Sequence, residues 1–223
     1  MSVVCGDLTA DKRNDMFGKV SIVFLGVFIL GGCVSEEPMP VITQDYSLIK
    51  PPQPPKPKPT IDVGEIPPAW LPAPYLEKKW TAIIIHHSGT KDGNAAIFDK
   101  WHREGNHWEG VGYDFVIGNG TDSPDGHVEV TFRWTNQQTG AHCGGTPGNW
   151  ANVEGIGICL VGNFNHTSPS PRQMQSLVNL VRFLQNRYGI PKSRIYGHRT
   201  TPGARETECP GRNLSIAKLK SIL

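Results

Sequence analysis

Apolar residues along the chain fall into short blocks with two different periods. Residues 80–86 read TrpThrAlaIleIleIleHis, a β-branched run that predicts a buried strand. Over 94–104, Ile97 and Trp101 stand four apart, the spacing of one helix face. Tyr113–Ile117 and Val128–Arg133 read as strands, separated by GlyAsnGly and an Asp125-Gly126 turn. Gly155–Val161 predicts another buried strand. The clearest element is a helix from Pro171 to Tyr188. Ser170 is a good N-cap, Pro171 takes the first helical position and Gln173 completes a capping box. Met174, Leu177, Val178, Val181, Leu184 and Tyr188 then form one apolar stripe, which Gly189 ends. A short strand, Arg194–Tyr196, leads into His198. Strands with helices between and after them predict a mixed α/β class.

The first third of the chain follows different rules. Residues 20–30 are an apolar run preceded by Lys19 and followed by Gly31, Gly32 and Cys33. A basic flank, a short apolar core and small exit residues describe a secretory signal. Leu30-Gly31-Gly32-Cys33 also resembles a bacterial lipobox, in which the cysteine is acylated and becomes the N-terminus. The alternatives are an ordinary signal or a single signal anchor. Charged residues precede Met16, which is a second candidate start beside Met1. Val34 follows the cysteine, and by resemblance to Gram-negative lipoproteins this favours the outer membrane. The expected organisation is an N-terminal extension with signal and lipobox over 1–33, lipidated at Cys33, a disordered linker over 34–68 and one domain over 69–223. Twelve of the 19 prolines lie between Pro38 and Pro74. Proline fixes φ and removes a donor, so this stretch is expected to be an extended spacer reaching on the order of 100 Å.

Composition narrows the classes. Hydrophobic residues make up 38% and charged residues 19%, enough apolar content for a packed core. A net charge of +2 argues against nucleic acid as a partner. Five cysteines in 223 residues do not make a disulfide scaffold. No apolar stretch reaches the roughly 18 residues of a spanning helix, which argues against a multi-pass membrane protein.

The candidate chemistry lies at strand ends. His86 closes the first strand, His198 follows the last, and Cys209 comes eleven residues later. Imidazole and thiolate are the usual zinc ligands, and three of them leave a fourth position open. Eight histidines could produce such a triple by chance, so residue types alone do not decide. The words around them do more. IleIleHisHisSerGlyThr (84–90), TrpHisArgGluGly (101–105), GlyValGlyTyrAspPheValIle (110–117) and GlyAlaHis (140–142) appear in order. GlyIleGlyIleCysLeuValGlyAsnPhe (155–164), GlyHisArg (197–199) and GluCysProGly (208–211) follow. Together they resemble the zinc-dependent N-acetylmuramoyl-L-alanine amidases, which include phage amidase-type lysozymes and peptidoglycan recognition proteins. The resemblance covers about residues 78–221.

It implies a central mixed β-sheet flanked by helices, with Zn2+ at one end of a groove held by His86, His198 and Cys209. The first His of the HisHis pair is the ligand in the family, which leaves His87 as a groove-wall or packing residue. The catalytic tyrosine maps onto Tyr113, as a base toward water or a donor to the oxyanion. Phage enzymes carry a lysine where this chain has Thr207, a neutral donor as in catalytic recognition proteins. His142 and Asn152 match positions that line the peptide groove. His102 and Trp108 read as packing residues, and Cys159 as a small core residue. Cys143 is open to pairing or to staying free. The implied activity is hydrolysis of the amide between the lactyl group of N-acetylmuramic acid and L-alanine, by a monomer acting on peptidoglycan or muropeptide beside a membrane. Alternatives are a non-catalytic wall-binding module, a zinc peptidase cutting within the stem peptide, or a tether. Non-catalytic relatives typically lose the cysteine, which this chain keeps.

Overall fold

Six consecutive buried residues, Ala82–His87, form the interior strand β1. On one side it pairs in parallel with Gly155–Leu160, the strand β4, in register from Ala82 opposite Gly155 to His87 opposite Leu160. On the other side it pairs in parallel with Ile195–Gly197, the strand β5. Phe115–Ile117 (β2) adds in parallel to β4, and Val128–Val130 (β3) closes the sheet antiparallel to β2. The order is β3-β2-β4-β1-β5. This computed structural model describes residues 66–223. The expected signal segment, Cys33 and most of the proline-rich linker lie outside the described residues. Ile66, within the expected linker, packs against the core, and Trp134 Nε1 donates to the Trp70 carbonyl at 3.0 Å.

A strand buried on both faces needs a cover on each. Ile83 and Ile85 of β1 and Ile156, Ile158 and Leu160 of β4 face one side. There they meet Leu177, Val181 and Leu184 of α4 (Pro171–Tyr188) and Leu219 of α5 (Ile216–Ile222). Each fully buried aliphatic side chain contributes about 1.5–3 kcal/mol, so this layer anchors the sheet. The opposite face is split and thinner. Phe98 of α1 (Ala95–Asn106) covers Val116 and Cys159, while Cys143 and Ala151 cover Ala82 and Ile84. Ala151 belongs to the short helix α3 (Trp150–Val153).

α4 starts and stops where its local chemistry says. Ser170 Oγ accepts from the Gln173 N–H at 3.0 Å, Gln173 Oε1 accepts from the Ser170 N–H at 3.1 Å, and Gly189 takes φ 68°. The expected strand over Val128–Arg133 ends early, at Val130. Thr131 Oγ1 accepts from the Arg133 N–H and opens a short helix, α2 (Phe132–Thr135). The buried Arg133 guanidinium donates to the Val111 and Thr139 carbonyls, which a continued strand could not allow. The sequence pattern also gave no sign of α5, whose last carbonyls include Ile222 O, an acceptor for Arg182.

Candidate metal centre

Strand pleating sorts the histidine pair. Successive side chains of β1 alternate, so His86 shares a face with Ala82 and Ile84, and His87 shares one with Ile83 and Ile85. His86 therefore turns toward the thin layer, where the C-terminal ends of the parallel strands open. His198 opens a single 3-10 turn directly after β5, and Cys209 lies on the loop before α5. One ligand-type atom from each of His86, His198 and Cys209 lies within 4.8 Å of the others. His86 Nδ1 is 3.6 Å from Cys209 Sγ, and the two imidazole rings are 4.7 Å apart. The loop is pinned by Arg199 N–H donating to the Cys209 carbonyl at 2.8 Å. The His87 N–H donates to Cys209 Sγ at 3.4 Å.

The donor set fits a soft divalent cation. Burial, then the neighbouring histidines, hold His86 well below the usual imidazole range, and burial lowers His198. Both rings are thus neutral near pH 7, the form that ligates. Burial pushes the Cys209 thiol up to about 12, with the His87 N–H pulling the other way. An ion in the cluster inverts that penalty, because its charge favours thiolate. His198 Nε2 is buried and has no hydrogen-bond partner among the described residues. Two neutral imidazoles, one thiol and an orphaned buried nitrogen suit zinc better than a hard, oxygen-seeking ion.

A cavity of about 440 Å³ opens beside the cluster, lined by Trp108, His142, Asn152, His198, Arg205 and Thr207 among others. A larger one of about 490 Å³, lined by Lys91, Asn119 and His166, contains no cluster residue. Thr207 Oγ1 accepts from the Cys209 N–H at 3.1 Å, which leaves its proton free to donate. Tyr113 is half-buried, its ring 5.2 Å from that of His86 and 5.7 Å from that of His102. Burial and the nearby sulfurs of Cys159 and Cys209 raise its phenol well above the ordinary value.

The expected groove residues take distinct places. His87 does not line the groove: its ring lies against Phe164, on the α4 side, with Nδ1 accepting from the Phe164 N–H at 3.1 Å. His142 lines the groove yet is buried, and its Nδ1 lies 3.1 Å from His86 Nε2. Asn152 spends its whole amide on the chain. Its Oδ1 accepts from the His142 and Cys143 N–H groups at 2.8 and 2.9 Å, and its Nδ2 donates to the Cys143 carbonyl and Asn149 Oδ1. Trp108, expected to pack, is 40% exposed on the groove wall, while His102 Nδ1 accepts from the Gly112 N–H. Cys143 and Cys159 are buried and free. Sequence reasoning missed Asp114, fully buried next to Tyr113, with Oδ2 accepting from the Gly157 N–H at 2.8 Å. An aspartate inside the apolar run Tyr113–Ile117 was the available signal.

Residues 76–212 match a family model described as N-acetylmuramoyl-L-alanine amidase. The chain is 30% identical over 153 residues to peptidoglycan-recognition protein SC1a of Drosophila melanogaster, covering 61% of this chain and 75% of that protein. It is 28% identical over 120 residues to the human N-acetylmuramoyl-L-alanine amidase, covering 53% of this chain and 18% of that one. Among solved structures it is similar to the endolysin amidase LysCS from Clostridium intestinale, with 30% identity and a TM-score of 0.55 over 65% of this chain and 83% of that chain.

Proposed function

The chain belongs to the N-acetylmuramoyl-L-alanine amidase family, and from that premise we propose that it hydrolyses the amide joining the lactyl group of N-acetylmuramic acid to L-alanine in peptidoglycan stem peptides, with zinc as cofactor. One observation carries the reading: His86, His198 and Cys209 converge within 4.8 Å at the head of a groove that could receive a peptide. Zinc held there would polarise the scissile carbonyl and lower the pKa of a water toward 7. The chain's own groups do the rest. Neutral His86 and His198 and the Cys209 sulfur would hold the ion, and the His87 N–H would share the negative charge of that sulfur. Thr207 donates its hydroxyl proton to the carbonyl oxygen as charge develops on it. Tyr113, beside His86, hydrogen-bonds the attacking water or the same oxygen. Loss of one such donor costs about 10²–10³ in kcat. Trp108 and the 140–145 loop, held by Asn152, wall the groove that seats the peptide.

We further infer that the chain is exported and held at a membrane by acyl chains on Cys33. The apolar run 20–30 and Leu30-Gly31-Gly32-Cys33 support this, and radiolabelled palmitate incorporation lost in Cys33→Ala would test it.

The activity is tested by incubating the full chain with a muramoyl-pentapeptide, with and without a chelator, and identifying products by mass. Free peptide beginning at L-alanine is expected, abolished by chelation and restored by zinc. Cleavage within the stem peptide would identify a peptidase. Intact substrate with zinc bound would identify a wall-binding module.

A further inference from the structure

The contacts of His142 fix where its protons sit. Its Nε2 is 3.3 Å from the Gly155 carbonyl oxygen. A carbonyl can only accept, so Nε2 carries the proton. The ring is buried, and among the described residues its nitrogens meet only the Gly155 carbonyl and His86, with no carboxylate to balance a second proton, so Nδ1 is bare. His86 Nε2, 3.1 Å away, must then be the donor. With its proton given toward His142 at Nε2, His86 turns its other ring nitrogen, Nδ1, toward Cys209 Sγ at 3.6 Å.

The seat of His142 is built for this ring and this orientation. A Cβ at Gly157 would lie 2.4 Å from His142 Cδ2, and one at Gly140 would lie 2.6 Å from the same atom. Two bare α-carbons therefore clasp the imidazole, and Gly155 supplies its acceptor. The backbone on either side is held by Asn152, through the His142 and Cys143 N–H groups. Flipping the ring would present carbon to both His86 and Gly155, losing two buried hydrogen bonds at about 1 kcal/mol or more each.

We propose that His142 is a positioning residue for the metal centre: by accepting from His86 Nε2–H it locks the tautomer and plane of His86, so that Nδ1 is the atom offered to the ion. The proposal rests on the zinc reading of the site and adds a relay, Gly155 carbonyl to His142 to His86, that reaches from the N-terminal end of β4 to the ligand. It also accounts for Gly157 of the GlyIleGlyIle segment (155–158), which leaves room for an imidazole. Outer partners of this kind typically set metal affinity by 10–100-fold.

Two measurements on the full chain test it. In the zinc-loaded protein, nitrogen-15 spectra of the imidazoles should show His86 protonated at Nε2 and metal-bound at Nδ1, and His142 protonated at Nε2 with Nδ1 bare. Zinc bound to His86 through Nε2, or a protonated His142 Nδ1, would overturn the proposal. Zinc affinity by chelator competition should fall 10–100-fold in His142→Leu and recover largely in His142→Asn, whose Oδ1 replaces the lost acceptor. A Leu variant with unchanged zinc affinity and only a raised KM would overturn it in favour of a substrate contact. A wild-type chain that takes up no zinc would overturn the zinc reading itself, a result distinct from either. The spectra on unmutated protein decide the matter even if the Leu variant does not fold.

Discussion

Asp114 follows Tyr113 directly and is buried with one oxygen bonded to Gly157 and the other, Oδ1, unpartnered among the described residues. Burial raises its carboxyl to about 7, against the pull of the Gly157 N–H and of Lys78 and Arg133. Between the ordinary carboxylate range and that value, the folded protein holds a proton that the unfolded chain releases. Its contribution to stability is therefore greatest below about pH 4 and is lost as pH rises through about 7. Asp114→Asn removes the titration. Its stability relative to wild type should rise between pH 5 and pH 8 by roughly 2–4 kcal/mol, measured by denaturant unfolding with metal chelated. A difference that does not change with pH would assign the aspartate a charge partner at all pH values. Neither the partner of this residue nor that of His142 was legible in the chain. Both depend on which strand lies beside which: Asp114 meets Gly157 only because β2 pairs with β4. The three candidate ligands were legible for a different reason. Their surrounding words resemble those of a family, whereas spacing alone would not have separated His86 from His87. The pleat of β1 makes that separation.

At the scale of elements, legibility tracks how local the chemistry is. The whole of α4 could be read, because cap, first-turn proline, stripe and terminal glycine lie within its own twenty residues. Ser170 also donates to Asp125 Oδ1, tying the helix start to the turn before β3. Ser170→Ala should therefore destabilise the protein by about 1–2 kcal/mol, read as a lower unfolding midpoint, with zinc affinity unchanged because no ligand rests on that end of the helix. α2 was missed for the converse reason. Val128–Arg133 alternates like a strand, but the Arg133 guanidinium satisfies carbonyls at Val111 and Thr139, on either side in sequence. Those two tertiary bonds outweigh a β propensity worth at most about 1 kcal/mol.

Across the whole molecule, the candidate ligands join the ends of two strands and the loop before the last helix, segments separated by more than a hundred residues between His86 and His198. An ion that binds this arrangement and not the unfolded chain stabilises the fold by mass action, about 4 kcal/mol at a thousandfold excess over Kd. Chelation should lower the thermal midpoint, and zinc should restore it. Because the Cys209 thiol starts at about 12, uptake displaces one proton, and the apparent zinc affinity should rise about tenfold per pH unit from 7 to 9. An affinity flat in that range would show that no proton is displaced and overturn the picture of a protonated Cys209 taken up as thiolate. The alternation along β4 has a consequence for how such a chain can change over time. Ile156, Ile158 and Leu160 are filled positions facing α4, where one aliphatic side chain can drift to another of similar volume. Gly155, Gly157 and Cys159 face the other way, and at Gly157 no side chain fits without displacing His142. A single strand should thus evolve at two speeds, with substitutions admitted at the positions facing α4 and refused at the two glycines that alternate with them, so that the rhythm of variation along it marks which side of the sheet holds the chemistry.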